Sequence, residues 1–154
     1  MYPHLDTKPL VRLPSNGLLK VRGFVTKEQL ANAESLDISG EPCIVVLKDG
    51  CVSGLTFGRY AGLESILCDE NGVRSVELAI YNYDKRSIPF SSKGDSGSLI
   101  VNGNGEMVGL LHSGESRTGD GSTATYVTYA TPAWRLREWI MEVYPNADFD
   151  REIW

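Results

Sequence analysis

The sequence predicts an all-β fold, an antiparallel barrel or sandwich followed by a C-terminal helix. Short β-rich apolar runs recur between Cys43 and Ala130. Turn signals separate them at Asp49-Gly50, Asn71-Gly72 and Asn102-Gly103-Asn104-Gly105. A helix-start pattern, Thr131-Pro132, follows the last run.

Residues 1–40 read as an arm or linker with a short helix. Pro3, Pro9, Pro14 and Ser15-Asn16-Gly17 punctuate its start. Leu10-Val11-Arg12-Leu13 and Leu18-Leu19-Lys20-Val21 are candidate edge strands, apolar enough to pack against another surface. Thr26 to Ala33 is the helix. Thr26 is its N-cap, and Gln29 stands three residues on, as a capping box requires.

Residues 41–145 hold the strands and the closing helix. Cys43 to Lys48 is an apolar run, Asp49-Gly50 its two-residue turn, and Val52 to Tyr60 the return strand. The glycines of that strand predict a bulge or a bend. Leu63 to Cys68 and Val73 to Tyr81 form the next hairpin around Asn71-Gly72. Leu99 to Val101 and Glu106 to His112 form another. Gly114 to Ser122 reads as a surface loop and Thr123 to Ala130 as the last strand. Pro132 opens the helix with Thr131 as N-cap, and Pro145 stops it. Residues 146–154 are a tail in which Phe149 and Trp154 can dock back on the surface.

Composition narrows the function classes. The 154 residues are 42% hydrophobic with 16 glycines, a turn-rich globular balance. The net charge is −5, with 20 acidic and 15 basic residues interspersed. No basic stripe offers itself to a phosphate backbone, so no nucleic-acid partner is expected. No window is long and apolar enough to span a membrane. Cys43, Cys51 and Cys68 lack a C-x-x-C spacing, and His4 and His112 are far apart, so neither a metal nor another cofactor is expected. An odd number of thiols, and no secretory pattern after Met1, predict an intracellular location.

The chemistry concentrates in Gly94-Asp95-Ser96-Gly97-Ser98. Glycines flanking an Asp-Ser pair permit a turn that exposes the serine hydroxyl while backbone N–H groups converge beside it. With Leu99-Ile100-Val101 after it and Val108 to Gly114 beyond, this stretch resembles the chymotrypsin-like serine proteases. The resemblance runs from Cys43 to Met141. Lys48-Asp49-Gly50 and Ser53-Gly54-Leu55-Thr56-Phe57-Gly58 match the turn and strand that open that family's second barrel, which supports it independently of the serine motif.

The resemblance implies a six-stranded antiparallel β-barrel and a role for each residue of the turn. Ser96 would be the nucleophile, Gly94 and Ser96 the oxyanion-hole donors, and Asp95 the supporting acid. In secreted members that acid pairs with a freed N-terminus. Its simpler role is an Asx-turn cap. Phe90, Ser91, Ser92 and Lys93, with His112, Ser113 and Gly114, would bind substrate. Phe90 falls at the pocket bottom, where its ring implies a shallow or filled pocket. Gly114 matches the glycine whose backbone pairs with an extended peptide. Glutamate-cleaving relatives read an acidic side chain with a histidine one residue earlier than His112. Alternation predicts that this shift turns His112 to the opposite face.

A serine hydroxyl needs a base about 3 Å away. In the resembled family the base and its aspartate come from a first barrel, which has no counterpart among these residues. The expected function is therefore a serine endopeptidase half-domain, inactive until an N-terminal His/Asp barrel completes it. Its expected partners are that barrel or a second copy of the chain, and a peptide substrate. The alternative is a non-catalytic peptide- or protein-binding module. Ser96 runs into a strand, which excludes a strand-to-helix nucleophile elbow, and no phosphate-binding glycine loop is present.

Overall fold

The fold is seen in a computed structural model that describes residues 15, 17–33, 35–37, 39–68, 70–116 and 125–149. Helix α1 (Lys27–Ala31) and the two-residue strand β1 (Ser35–Leu36) precede the main sheet. The sheet holds β2 (Pro42–Gly50), β3 (Gly54–Cys68), β4 (Arg74–Asn82), β5 (Leu99–Asn102), β6 (Met107–Ser116) and β7 (Thr125–Pro132). These strands run in the order β2-β3-β4-β7-β6-β5, all neighbours antiparallel. Val46 and Leu47 of β2 pair with Asn102 and Val101 of β5, and that pairing closes the six-stranded barrel. Helix α2 (Ala133–Val143) follows β7 and packs on β6 and β7.

Alternating side chains fill the interior. Val46, Tyr60, Leu78, Ile80, Ile100, Val108, Leu111 and Ala130 form one buried cluster, joined by Val25 and Leu30 from the N-terminal segment. Fully burying one such aliphatic side chain contributes about 1.5–3 kcal/mol. Lys48 lies two residues beyond Val46 on the same strand and is just as buried.

The capping box of α1 forms as expected: the Gln29 N–H donates to Thr26 Oγ1 and the Thr26 N–H to Gln29 Oε1. Several other expectations need correction. Asp49-Gly50 is not the turn, because both residues belong to β2 and Gly50 pairs with Gly54. The chain reverses at Cys51-Val52-Ser53, where the Asp95 carboxylate captures the Val52 and Ser53 N–H groups. The two strands expected at 52–60 and 63–68 are one bent strand, β3, whose register against β4 slips between Tyr60 and Glu64. Residues 61–63 there face the single residue Ala79, an irregularity that bends the strand without ending it. Thr131 is not a helix cap. It pairs with Leu110 in the β7–β6 ladder, and Pro132 takes the N-cap position without a side-chain bond.

Leu18 to Val21 forms no strand. The segment instead lies along the β5–β6 hairpin: the Arg22 N–H donates to Gly105 O, the Val25 N–H to Met107 O and the Met107 N–H to Gly23 O. This part of the arm therefore packs on the barrel itself. Gly114 to Ser116, expected in a surface loop, continue β6 instead. His4, the candidate strand 10–13, the rest of that loop at 117–122, the start of the last strand at 123–124 and Trp154 lie outside the described residues.

Candidate active site

The turn from Gly94 to Ser98 leaves the barrel wall between the loop after β4 and the start of β5. Gly94 has φ +105°, and a Cβ there would stand 2.7 Å from Val52 Cγ2, so only glycine fits. The Asp95 N–H donates to Ser92 O, and both the N–H and the hydroxyl of Ser98 donate to Asp95 O. The Gly97 N–H donates to Leu111 O at 2.7 Å and the Leu111 N–H to Ser98 O at 3.0 Å, which fastens the turn to β6. Ser96 is exposed, and its hydroxyl donates to His112 O at 3.1 Å. Among the described residues, neither the Gly94 nor the Ser96 N–H donates to a protein acceptor.

Asp95 holds the turn from inside. Its carboxylate is fully buried, takes four hydrogen-bond donors and pairs with one ammonium. Oδ1 accepts the Val52 N–H at 2.9 Å and the Ser53 N–H at 3.1 Å. Oδ2 accepts the Ser53 hydroxyl at 2.5 Å and the Ser92 N–H at 2.9 Å, and faces Lys48 Nζ at 3.2 Å. Burial opposes the charge, but the Ser53 hydroxyl and the Ser92, Val52 and Ser53 amides outweigh it and hold the carboxyl well below the usual carboxylate range. Lys48 also donates to Ser53 Oγ at 2.6 Å and lies over the Phe90 ring. A Cβ on Gly50 would stand 2.5 Å from Asp95 Oδ1 and 2.7 Å from Lys48 Nζ, so the pair has room only because residue 50 is glycine.

The opposite side of the turn is built from β6 and β4. The β6–β7 register slips between Leu111 and Ser113, so His112 is the extra residue of a bulge. His112 does face opposite to Leu111, as alternation predicts, but alternation fails from His112 to Ser113. Leu111 is buried, whereas His112, Ser113 and Gly114 are all exposed. His112 Nε2 lies 3.3 Å from Glu77 Oε2 on β4, and Nδ1 lies 2.9 Å from Ser113 Oγ.

The remaining candidate residues separate. Phe90 is fully buried in the core cluster; Thr56 Oγ1 donates to its carbonyl, and its N–H donates to Asn82 Oδ1. Ser91 is buried, with its hydroxyl 2.6 Å from Thr128 Oγ1. Ser92 serves Asp95 through its amide, and Lys93 is exposed. The structure thus sets the Ser96 hydroxyl on the His112 carbonyl and the Ser113 hydroxyl on the His112 ring, and sends the side chains of Asp95, Phe90 and Ser91 inward. Sequence reasoning missed Lys48, Ser53 and Glu77. Lys48 carried a signal: it shares the inward face of Val46 by strand alternation. Glu77 carried none, since it pairs with His112 across strands distant in sequence. Among the described residues, no group of three His, Cys, Asp or Glu side chains could hold a metal ion, and no helix is long and apolar enough to cross a membrane.

No family model matches the sequence, and no curated protein matches it. A solved structure does: the chymotrypsin of Cellulomonas bogoriensis, with a TM-score of 0.51 and 20% identity. The match covers 88% of this chain and 58% of that one, so the chain spans little more than half of the protein it resembles. At that identity the likeness speaks for architecture alone: the six-stranded barrel has a chymotrypsin-like fold.

Proposed function

We propose that this chain is the nucleophile-bearing half of a serine endopeptidase, completed by a second barrel that supplies histidine and aspartate. The observation that carries the reading is the turn at Ser96. It is locked from inside by the buried Asp95–Lys48 pair, while outside it presents an exposed hydroxyl and two N–H groups that have no protein acceptor among the described residues. Lys48 gives Asp95 an ammonium from within the chain, so the turn needs no freed N-terminus to order it. The coverage of the Cellulomonas chymotrypsin supports an incomplete enzyme.

In this reading Ser96 Oγ attacks a peptide carbonyl. Its proton passes to the partner barrel's imidazole and on to the leaving amine. The Gly94 and Ser96 N–H groups hold the oxyanion, and water then resolves the acyl-enzyme. The exposed backbone of β6 at Ser113-Gly114 pairs with the extended substrate. Phe90, enclosed in the core, leaves a shallow primary pocket. A second reading, a peptide-binding module without catalysis, is favoured by one observation: the Ser96 hydroxyl donates to a carbonyl, which cannot take its proton.

Added imidazole separates the two. A small base should let Ser96 react with an alkyl fluorophosphonate, giving an adduct mapped to Ser96 by peptide mass and lost in S96A. No adduct at Ser96, with imidazole present and the chain folded, would leave the binding module.

A further inference from the structure

The Ser96 reading leaves one cluster unused. Glu77 is buried on β4, its side chain only 5% exposed. Among the described residues, its Oε2 has no hydrogen-bond partner of ordinary geometry. An unmatched buried carboxylate oxygen costs free energy, so a native structure that keeps one calls for a reason. The oxygen faces His112 Nε2 at 3.3 Å, a contact that meets the distance of an ion pair but not the angle of a hydrogen bond.

A carboxylate only accepts, so it favours the imidazole tautomer with its hydrogen on Nε2. Nδ1 is then the acceptor, and the Ser113 hydroxyl, 2.9 Å away, is its donor. The order is acid, imidazole, hydroxyl. Ordinary strand alternation would send Ser113 to the face opposite His112. The bulge at His112 keeps both exposed, side by side. Beside them lies an open groove of about 420 Å³ lined by Leu67, Cys68, Val73, Ser75, His112 and Ser113. It is small-molecule sized. Leu67 and Val73 give it apolar walls, and the hydroxyl sits among its lining residues.

We propose that Ser113, His112 and Glu77 form a second nucleophilic site that accepts acyl groups from small esters, independent of Ser96. Ser113 Oγ bonds to the ester carbonyl carbon while its proton moves to His112 Nδ1. The carbon–oxygen bond to the alcohol breaks, and the departing alkoxide takes that proton. Water then attacks the Ser113 ester with His112 as base. It releases the carboxylic acid and restores the hydroxyl, so ester and water become acid and alcohol. Glu77 touches no substrate. It is a positioning residue that holds the imidazole tautomer and balances the charge formed during transfer.

The test uses the full chain carrying S96A, with no imidazole added, and an alkyl fluorophosphonate as probe. The expected result is one adduct, mapped to Ser113, and turnover of p-nitrophenyl butyrate. Both disappear in S96A/S113A, a change at an exposed side chain. H112A and E77Q are each made in the S96A background and each confirmed folded by circular dichroism; H112A slows labelling by about a hundredfold, the low side of what a positioned base contributes, and E77Q slows it by less. Absence of the Ser113 adduct overturns the proposal, and so does labelling of S96A/H112A at the parent rate. Labelling of S96A/E77Q at the parent rate removes Glu77 from the site and overturns the proposal as stated. Because Ser96 requires imidazole and Ser113 does not, failure at one serine is distinguishable from failure at the other.

Discussion

The two sides of the turn at Ser96 are built by opposite rules. On the inner side every polar group of Asp95 and Lys48 is matched, and both side chains are fully enclosed. On the outer side Ser96, His112 and Ser113 are exposed, and the buried Glu77 carries an oxygen without a proper partner among the described residues. The inner side determines where the backbone goes. The outer side leaves groups able to react. Positioning calls for saturated hydrogen bonding in a low dielectric, whereas reactivity calls for capacity held open.

The comparison breaks first at Lys48. K48M leaves the Asp95 carboxylate buried without its cation, and losing one partner of a buried pair costs about 3–5 kcal/mol. Chemical denaturation at neutral pH should show a loss of that size. The same measurement on S113A should stay within about 0.5 kcal/mol of the parent, as for ordinary surface changes. Equal losses at the two sites would erase the contrast between the sides.

Acid attacks the inner side as well. Asp95 is held below its unfolded value, so its stabilisation is fully present above that value, near pH 3.9 for a free aspartate. It is lost as pH falls through the lower folded value. Melting temperatures measured from pH 5 to pH 2 should fall, and D95N should flatten part of that fall. The rest belongs to other carboxyls, such as Asp37, held low by the Glu41 amide. A D95N curve as steep as the parent's would contradict the assignment. Gly50 gives a smaller effect. In G50A the new methyl meets the Asp95 carboxylate at 2.5 Å, and overpacking of this kind costs about 1–3 kcal/mol. Neutral behaviour on denaturation would mean that the pair has more room than its geometry indicates.

Much of the barrel was legible because its signals are local. Asn71-Gly72 and Asn102 to Gly105 sit at real reversals, and the capping box of α1 spans four consecutive residues. Asp49-Gly50 misled for a reason found elsewhere in the chain. The partner that pulls the reversal on to Cys51-Val52-Ser53 is Asp95, more than forty residues away. The exposure of Ser113 beside His112 was hidden in the same way, since a bulge depends on the register of two strands and no single strand announces it. The glycines of the serine turn were readable because φ +105° at Gly94 excludes other residues. The ion pair behind it was half readable: Lys48 lies on the inward face of an apolar strand, but nothing in its neighbourhood names Asp95.

The measurement that bears most directly on the Ser96 turn compares imidazole-dependent fluorophosphonate labelling of Ser96 in the parent chain, K48R and K48M. All three are held where circular dichroism finds them folded. If the buried ammonium presents Ser96, the parent and the charge-keeping K48R label at Ser96 and K48M does not. Labelling of K48M at the parent rate would contradict it, because the hydroxyl and its two N–H groups would then be in place without the lock.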